Sequence, residues 1–84
     1  MPIDVKKAVL TATEYLAEVM RIRPELIVLE EVEMDDRDGS WNVTFSWPTP
    51  ETKDLTHIVH PRTYKTVKVD ADTGQLQAIT IKRL

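Results

Sequence analysis

Few side chains in this sequence are suited to chemistry, and the two histidines are the first candidates. His57 and His60 stand three positions apart, among the apolar residues Leu55, Ile58 and Val59. Two histidines at this spacing share a metal ion only on a helical turn, and no third ligand has a helix-compatible spacing to them. We therefore expect ordinary loop histidines, with no metal site and no cofactor.

Two acidic runs resemble the beginning of a calcium-binding loop. Asp70–Gly74 starts with alternate carboxylates, but glycine occupies its fifth position and no glutamate stands at the twelfth. Asp35–Gly39 is preceded by Met34, which occupies the position of a first ligand. Both runs are therefore predicted to be hairpin turns with their acids in solvent, and Gly74 is expected to adopt a positive φ.

The sequence contains no arrangement typical of a nucleophilic or redox enzyme. It has no cysteine, and Ser40 and Ser46 lie in no nucleophile-elbow motif. Tyr64 and Lys68 have the spacing by which these two residue types cooperate in one dehydrogenase family. They fall on a predicted strand, however, and no glycine-rich nucleotide loop accompanies them. We predict that the protein is not an enzyme.

Length and composition narrow the remaining classes of protein. Eighty-four residues, 42% hydrophobic and 30% charged, predict one globular domain over residues 1–84. A net charge of −3 argues against nucleic-acid binding, which needs clustered lysine and arginine. No apolar run approaches the ~20 residues of a membrane span, and no secretory signal is visible at the N-terminus. We expect a cytoplasmic protein that binds neither nucleic acid nor membrane.

The spacing of apolar residues predicts an α+β fold, with one N-terminal helix packed on a four-stranded antiparallel meander (α-β-β-β-β). Residues 3–22 carry the stripe of an amphipathic helix, which Pro24 is expected to stop. The period then changes to two. The predicted strands cover residues 26–34, 40–47, 64–70 and 75–83. In the first strand, Val28 and Leu29 are apolar on opposite faces, which predicts burial on both faces or a bulge.

The predicted core consists of residues that face inward in the two patterns. They are Val9, Ala12, Leu16, Val19, Val43, Phe45, Val67, Val69 and Ile79. Trp41, Phe45 and Trp47 share the inward face of the second strand. Trp47 stands next to Pro48, and its alternative role is to form part of a groove for a ligand or partner.

Three stretches of the strand region carry a family resemblance. They are Leu-Glu-Glu-Val-Glu at 29–33, Gly-Ser-Trp-Asn-Val-Thr-Phe at 39–45 and Tyr-Lys-Thr-Val-Lys-Val-Asp-Ala-Asp-Thr-Gly-Gln-Leu at 64–76. With the N-terminal helix, they resemble a PepSY-type domain, a cystatin-like helix-on-sheet module similar to those in protease propeptides. The resemblance implies a non-enzymatic module that binds or restrains a protein partner. Protease inhibition is not carried over, because residues 48–62 stand where the family commonly has a short hairpin.

Candidate partner-binding residues come from a long connection and from one strand. The connection at 48–62 contains three prolines and is too long for a tight hairpin, and such connections are often functional. In a meander, we expect the acids of the first strand at one sheet edge and Lys82 and Arg83 at the other. The candidate contacts are Trp47, Leu55, His57, Ile58, Val59, Glu30, Glu31 and Glu33.

Unlike charges at opposite edges predict a heterologous protein partner that brings a basic strand or loop. They argue against an edge-to-edge dimer through the acidic strand, so we expect a monomer or weak oligomer. A competing interpretation is that the charges only keep the edges soluble. The alternative functions are a small-ligand binding protein or an enzyme, either using a pocket between helix and sheet, and a purely structural subunit.

Overall fold

The computed structural model describes residues 2–49 and 62–81, which form one α-helix and a four-stranded antiparallel sheet. Helix α1 spans Val5–Met20 and is followed by a short 3-10 helix at Pro24–Leu26. The strands are β1 (Val28–Asp35), β2 (Ser40–Pro48), β3 (Arg62–Asp70) and β4 (Leu76–Ile81). Neighbouring strands in the sheet follow the order β1-β2-β3-β4. The predicted α+β class and the meander are confirmed.

Helix α1 begins and ends within the predicted range of residues 3–22. Asp4 is the N-cap, and its Oδ1 accepts a hydrogen bond of 2.8 Å from the backbone N–H of Lys7. The helix ends at Met20 because Arg21 adopts the left-handed conformation, with φ 55°. The prediction that Pro24 stops the helix is wrong. Pro24 instead begins the 3-10 turn that leads into β1.

Each edge strand, β1 and β4, contains one additional residue relative to the strand with which it pairs. In β1 the register shifts between Leu29 and Glu31, so the predicted irregularity is a bulge at Glu30. Burial on both faces is not its cause, because Val28 and Leu29 are both exposed. In β4 the pairing shifts opposite Lys68 and Val69, which leaves Gln77 as the additional residue. Bulges are common at sheet edges, where they bend the strand and increase its local twist.

The core lies between α1 and the face of the sheet that α1 covers. Helix α1 packs mainly on β2, β3 and β4. The buried hydrophobic cluster consists of Ala8, Ala12, Leu16, Val43, Phe45, Trp47, Val67 and Val69. Val9 and Ile79 are partly buried against this cluster.

The prediction that Val19 belongs to the core is wrong, because its side chain is 57% exposed. Successive residues of a helix are rotated by about 100° around its axis, so Val19 projects in nearly the same direction as Ala12. Ala12 is nevertheless buried. The exposure of Val19 therefore reflects its position along the helix. Val19 and Met20 in the last turn of α1 are both exposed, whereas Leu16, one turn earlier, is buried.

Candidate functional site

The exposed edge strand β1 has two chemically different faces. Three of its four apolar residues, Leu29, Val32 and Met34, lie on the side of the sheet that carries α1, since they pair with Phe45, Val43 and Trp41. The fourth, Val28, pairs with Ser46 and lies on the opposite side. The acids of β1 also lie on the opposite side, where Glu31, Glu33 and Asp35 pair with Thr44, Asn42 and Ser40. We call the surface formed by Glu30, Glu31, Glu33 and Asp35 the acidic face of β1.

The bulge brings Glu30 to this same acidic face. Its Oε2 accepts a hydrogen bond of 2.5 Å from the hydroxyl of Ser46, which lies on the side of the sheet away from α1. Arg62 donates from Nε and Nη2 to the same Oγ, at 3.1 and 3.0 Å. Regular alternation would instead have placed Glu30 and Glu31 on opposite faces. The bulge therefore concentrates negative charge on one side of β1.

The Glu30–Ser46–Arg62 chain resembles an activated hydroxyl but does not leave a reactive group available. Ser46 has no exposed surface, and its Oγ both donates to Glu30 and accepts from Arg62. A nucleophilic hydroxyl must reach the substrate carbon, and the side chains over Ser46 prevent that approach. The chain instead ties the bulge of β1 across β2 to the beginning of β3.

An apolar groove runs between α1 and β1 because the helix sits over the other three strands. It is lined by Val5, Lys6, Val9, Leu10 and Thr13 of α1 and by Leu29 and Val32 of β1, and its volume is about 440 Å³. Leu10 is 55% exposed and Leu29 is 45% exposed, so the groove is open to solvent along its length. The hydroxyl of Thr13, the one neutral polar group in this lining, donates to the Val9 carbonyl at 2.7 Å.

The side of the sheet opposite α1 is polar, and small side chains lie at its centre. The hydroxyls of Thr44 and Thr66 are hydrogen-bonded at 2.9 Å across β2 and β3. A shallow depression of about 310 Å³ over these threonines is bordered by Glu33 on β1 and by Lys68 on β3. The acidic face of β1 therefore continues into a hydroxyl-rich surface.

The carboxylates of the two acidic turns are used to hold the turns. Asp70 Oδ1 accepts from the backbone N–H groups of Thr73 and Asp72, at 2.9 and 2.8 Å, and these bonds lower the pKa of Asp70. The pKa of Asp38 is also lowered, because its carboxylate is hydrogen-bonded to the Lys68 ammonium. No group of three potential metal-ligating side chains is found among residues 2–49 and 62–81.

The structure brings together one part of the predicted site. Glu30, Glu31 and Glu33 lie on the acidic face of the edge strand β1. Trp47 is 6% exposed and belongs to the core cluster, so its indole offers little surface to a partner. Four predicted contacts, Leu55, His57, Ile58 and Val59, lie outside the described residues, as do Lys82 and Arg83.

The groove was not predicted from the sequence, although two of its residues are apolar at positions that the helix and strand patterns do not explain. Leu10 lies off the apolar stripe of α1, and Leu29 lies on the opposite parity from Val28 in β1. Each is a large apolar residue that the simple pattern does not bury. The structure places both on the same open groove.

Comparison with known proteins assigns no family to the chain. It matches no protein-family model, no curated protein and no solved structure. Across the part of the chain that the structure describes, no helix has the length and apolar character required to cross a membrane. Function is therefore inferred from the geometry of β1 and α1.

Proposed function

We propose that the chain is a non-enzymatic protein-binding module that docks its partner along β1. The observation that carries the proposal is the form of this edge strand, which is exposed over most of its length and has an acidic side and an apolar side. An edge strand presents unpaired backbone N–H and C=O groups that another chain can bind. Protein partners commonly use such edges by adding a strand or by covering them with a loop.

The apolar groove supports a protein ligand over a small molecule or a substrate. Small-molecule sites usually enclose ~70–90% of the ligand and contain a few convergent polar groups. Here Leu10 and Leu29 leave the groove open, and the Thr13 hydroxyl is already bonded to its own helix. These features favour a partner that brings its own extended surface.

The proposal also covers the structural class of the module, its cellular compartment and its oligomeric state. The resemblance to PepSY-type domains supports the same protein-binding class, and a helix followed by four antiparallel strands is the architecture it implies. We also propose that the protein is cytoplasmic and is a monomer or weak oligomer. The net charge of −3 supports the further proposal that it binds no nucleic acid.

Reversal of charge on β1 tests the proposal. The wild-type chain and a Glu31→Lys/Glu33→Lys variant are immobilised and exposed to lysate of the native host, and captured proteins are quantified by mass spectrometry. The control is Glu14→Lys/Glu18→Lys, which makes the same charge change at two exposed positions of α1.

We expect a specific partner on the wild-type chain and on the helix control, with strongly reduced capture by the β1 variant. Undiminished capture by the β1 variant would remove the acidic face from the binding site and move the site towards residues 48–62. A wild-type chain that enriches no protein would contradict the proposal altogether.

A further inference from the structure

We infer that the partner binds β1 as an added strand in which apolar side chains alternate with lysine or arginine. Its apolar side chains enter the groove beside α1, and its basic side chains lie along the acidic face. This inference rests on the proposed function and specifies the chemistry of the ligand. It follows from the placement of the groove, from the charge of β1 and from the alternation of side chains in a strand.

The groove lies where the next strand of the sheet would bring its side chains. A strand added to β1 lies about 4.8 Å from it, and its alternate residues point to the α1 side of the sheet. Leu29 and Val32 of β1 and Val5 and Leu10 of α1 line the groove. Because α1 lies over β2, β3 and β4, the helix borders the groove on the side towards the centre of the sheet, and the groove opens at the edge where a strand would be added. Apolar side chains from the added strand would therefore fill space that α1 and β1 leave open.

The remaining residues of the added strand would lie on the opposite side of the sheet. There they meet Glu33 and Asp35, which lie opposite Asn42 and Ser40 of β2. Opposite charges on neighbouring strands stabilise pairing, and like charges oppose it. An added strand whose apolar and basic residues alternate would therefore match both sides of β1.

Charge also excludes a second copy of this chain as the favoured occupant. A two-fold pairing of β1 with itself would set the same acidic face against its own copy across the dyad. The acids of β1 would then lie opposite acids of the other copy, which disfavours the contact. The acidic face therefore favours a heterologous strand with positive charge.

A defined peptide tests this inference without knowledge of the natural partner. The probe is a capped octapeptide of alternating lysine and valine, matched to the eight residues of β1. The control peptide has the same composition, with its lysines in one block and its valines in another. Binding is followed by amide and methyl NMR shifts of the labelled full chain.

We expect saturable shifts in the amides of Val28–Asp35 and in the methyl groups of Val5 and Leu10, with the block peptide binding at least about tenfold more weakly. Equal binding of the two peptides would mean that charge alone is recognised and would overturn the inference. Shifts confined to β4, or no saturable shift, would also overturn it.

Two variants distinguish binding in the groove from binding to the exposed surface of α1 elsewhere. Leu10→Glu places a charge in the groove, whereas Val19→Glu introduces the same charge at a similarly exposed position of α1 that does not line the groove. We expect Leu10→Glu to weaken binding of the alternating peptide by about tenfold or more and Val19→Glu to leave it unchanged. Equal effects of the two variants would contradict strand docking in the groove.

The outcomes distinguish this inference from the proposed function. Capture of a partner that depends on Glu31 and Glu33 but not on Leu10, with no preference between the peptides, would retain the protein-binding module and reject the strand. Peptide docking as expected, with no partner in the host, would support the strand chemistry and reject the proposed function. A dimer that Leu10→Glu dissociates would identify a second copy as the occupant and overturn the inference.

Discussion

At the scale of single residues, Phe45 is the largest fully buried side chain among residues 2–49 and 62–81, and it belongs to the core cluster. Phe45→Ala removes most of this side chain from a packed site. We expect the free energy of unfolding to fall by about 3 kcal/mol or more, through lost transfer energy and the cavity left behind. Urea denaturation followed by fluorescence measures the change.

The control for this substitution is Val19→Ala. Because Val19 is 57% exposed, we expect a change within about 0.5 kcal/mol. A change of similar size in the two variants would contradict the assignment of Phe45 to the core and of Val19 to the surface.

Asp70 makes stability depend on pH at the acid end of the range. Hydrogen bonds from Thr73 and Asp72 lower its pKa below the ordinary value of 3.8, so the folded state holds the charged carboxylate more strongly than the unfolded state does. Its stabilising effect is therefore complete above that value and is lost as the pH falls through the lowered pKa.

The test compares thermal midpoints of the wild type and Asp70→Asn over a pH series. We expect the variant to be less stable at neutral pH, and we expect the difference to shrink as the pH falls below 3.8. Asp36→Asn, at an exposed position in the other hairpin turn, serves as the control. A difference that stays constant throughout the acid range would contradict this role of the Asp70 charge.

At the scale of elements, the β1–β2 connection depends on the conformation of Gly39. Its φ is 63°, in the left-handed region that a side chain disfavours. A Cβ atom placed there would meet nothing within 4 Å, so the cost of Gly39→Ala is conformational and not steric.

We expect Gly39→Ala to lower the free energy of unfolding by about 1 kcal/mol. Gly39→Asn should cost less, because asparagine tolerates the left-handed region better than alanine does. Equal costs for alanine and asparagine in chemical denaturation would argue against a conformational origin.

The sequence predicts the order of the elements and the alternation of β2, but the edge strands show where the pattern is insufficient. In β4, Leu76 and Ile79 have opposite parity, yet both pack against the core. The bulge at Gln77 reconciles them, since it adds one residue between their positions. Parity indicates that such an irregularity exists, but the hydrogen bonding of the neighbouring strand decides which residue is additional.

At the scale of the whole molecule, the acidic face should limit self-association. We expect native mass spectrometry and sedimentation to give the monomer mass of 9.7 kDa at low salt. Weak association should increase at high salt, because ions shorten the range of repulsion to roughly 3 Å at 1 M. A dimer that is equally stable at low and high salt would contradict this expectation.

The candidate site could be predicted from the sequence only in part. The acids of β1 are evident in the sequence, but their position on one face depends on the bulge at Glu30. The groove depends on the lateral placement of α1 over β2, β3 and β4, which is set by tertiary packing. Local spacing shows which face of a helix is apolar, but it does not show how much of the sheet that face covers.

The bulge in β1 also determines which changes of chain length this strand can accept. Val28 and Leu29 pair in one register and Glu31–Asp35 in another that is shifted by one residue. Deletion of Glu30 would merge the two registers and leave every flanking side chain on its present face. Deletion of Val32 could also close the bulge, but Glu31 would then take the place of Val32 opposite Val43, which puts a carboxylate on the apolar side of the sheet. Thermal unfolding of the two deletion variants should therefore show a markedly smaller loss for the first, and equal losses would contradict this tolerance.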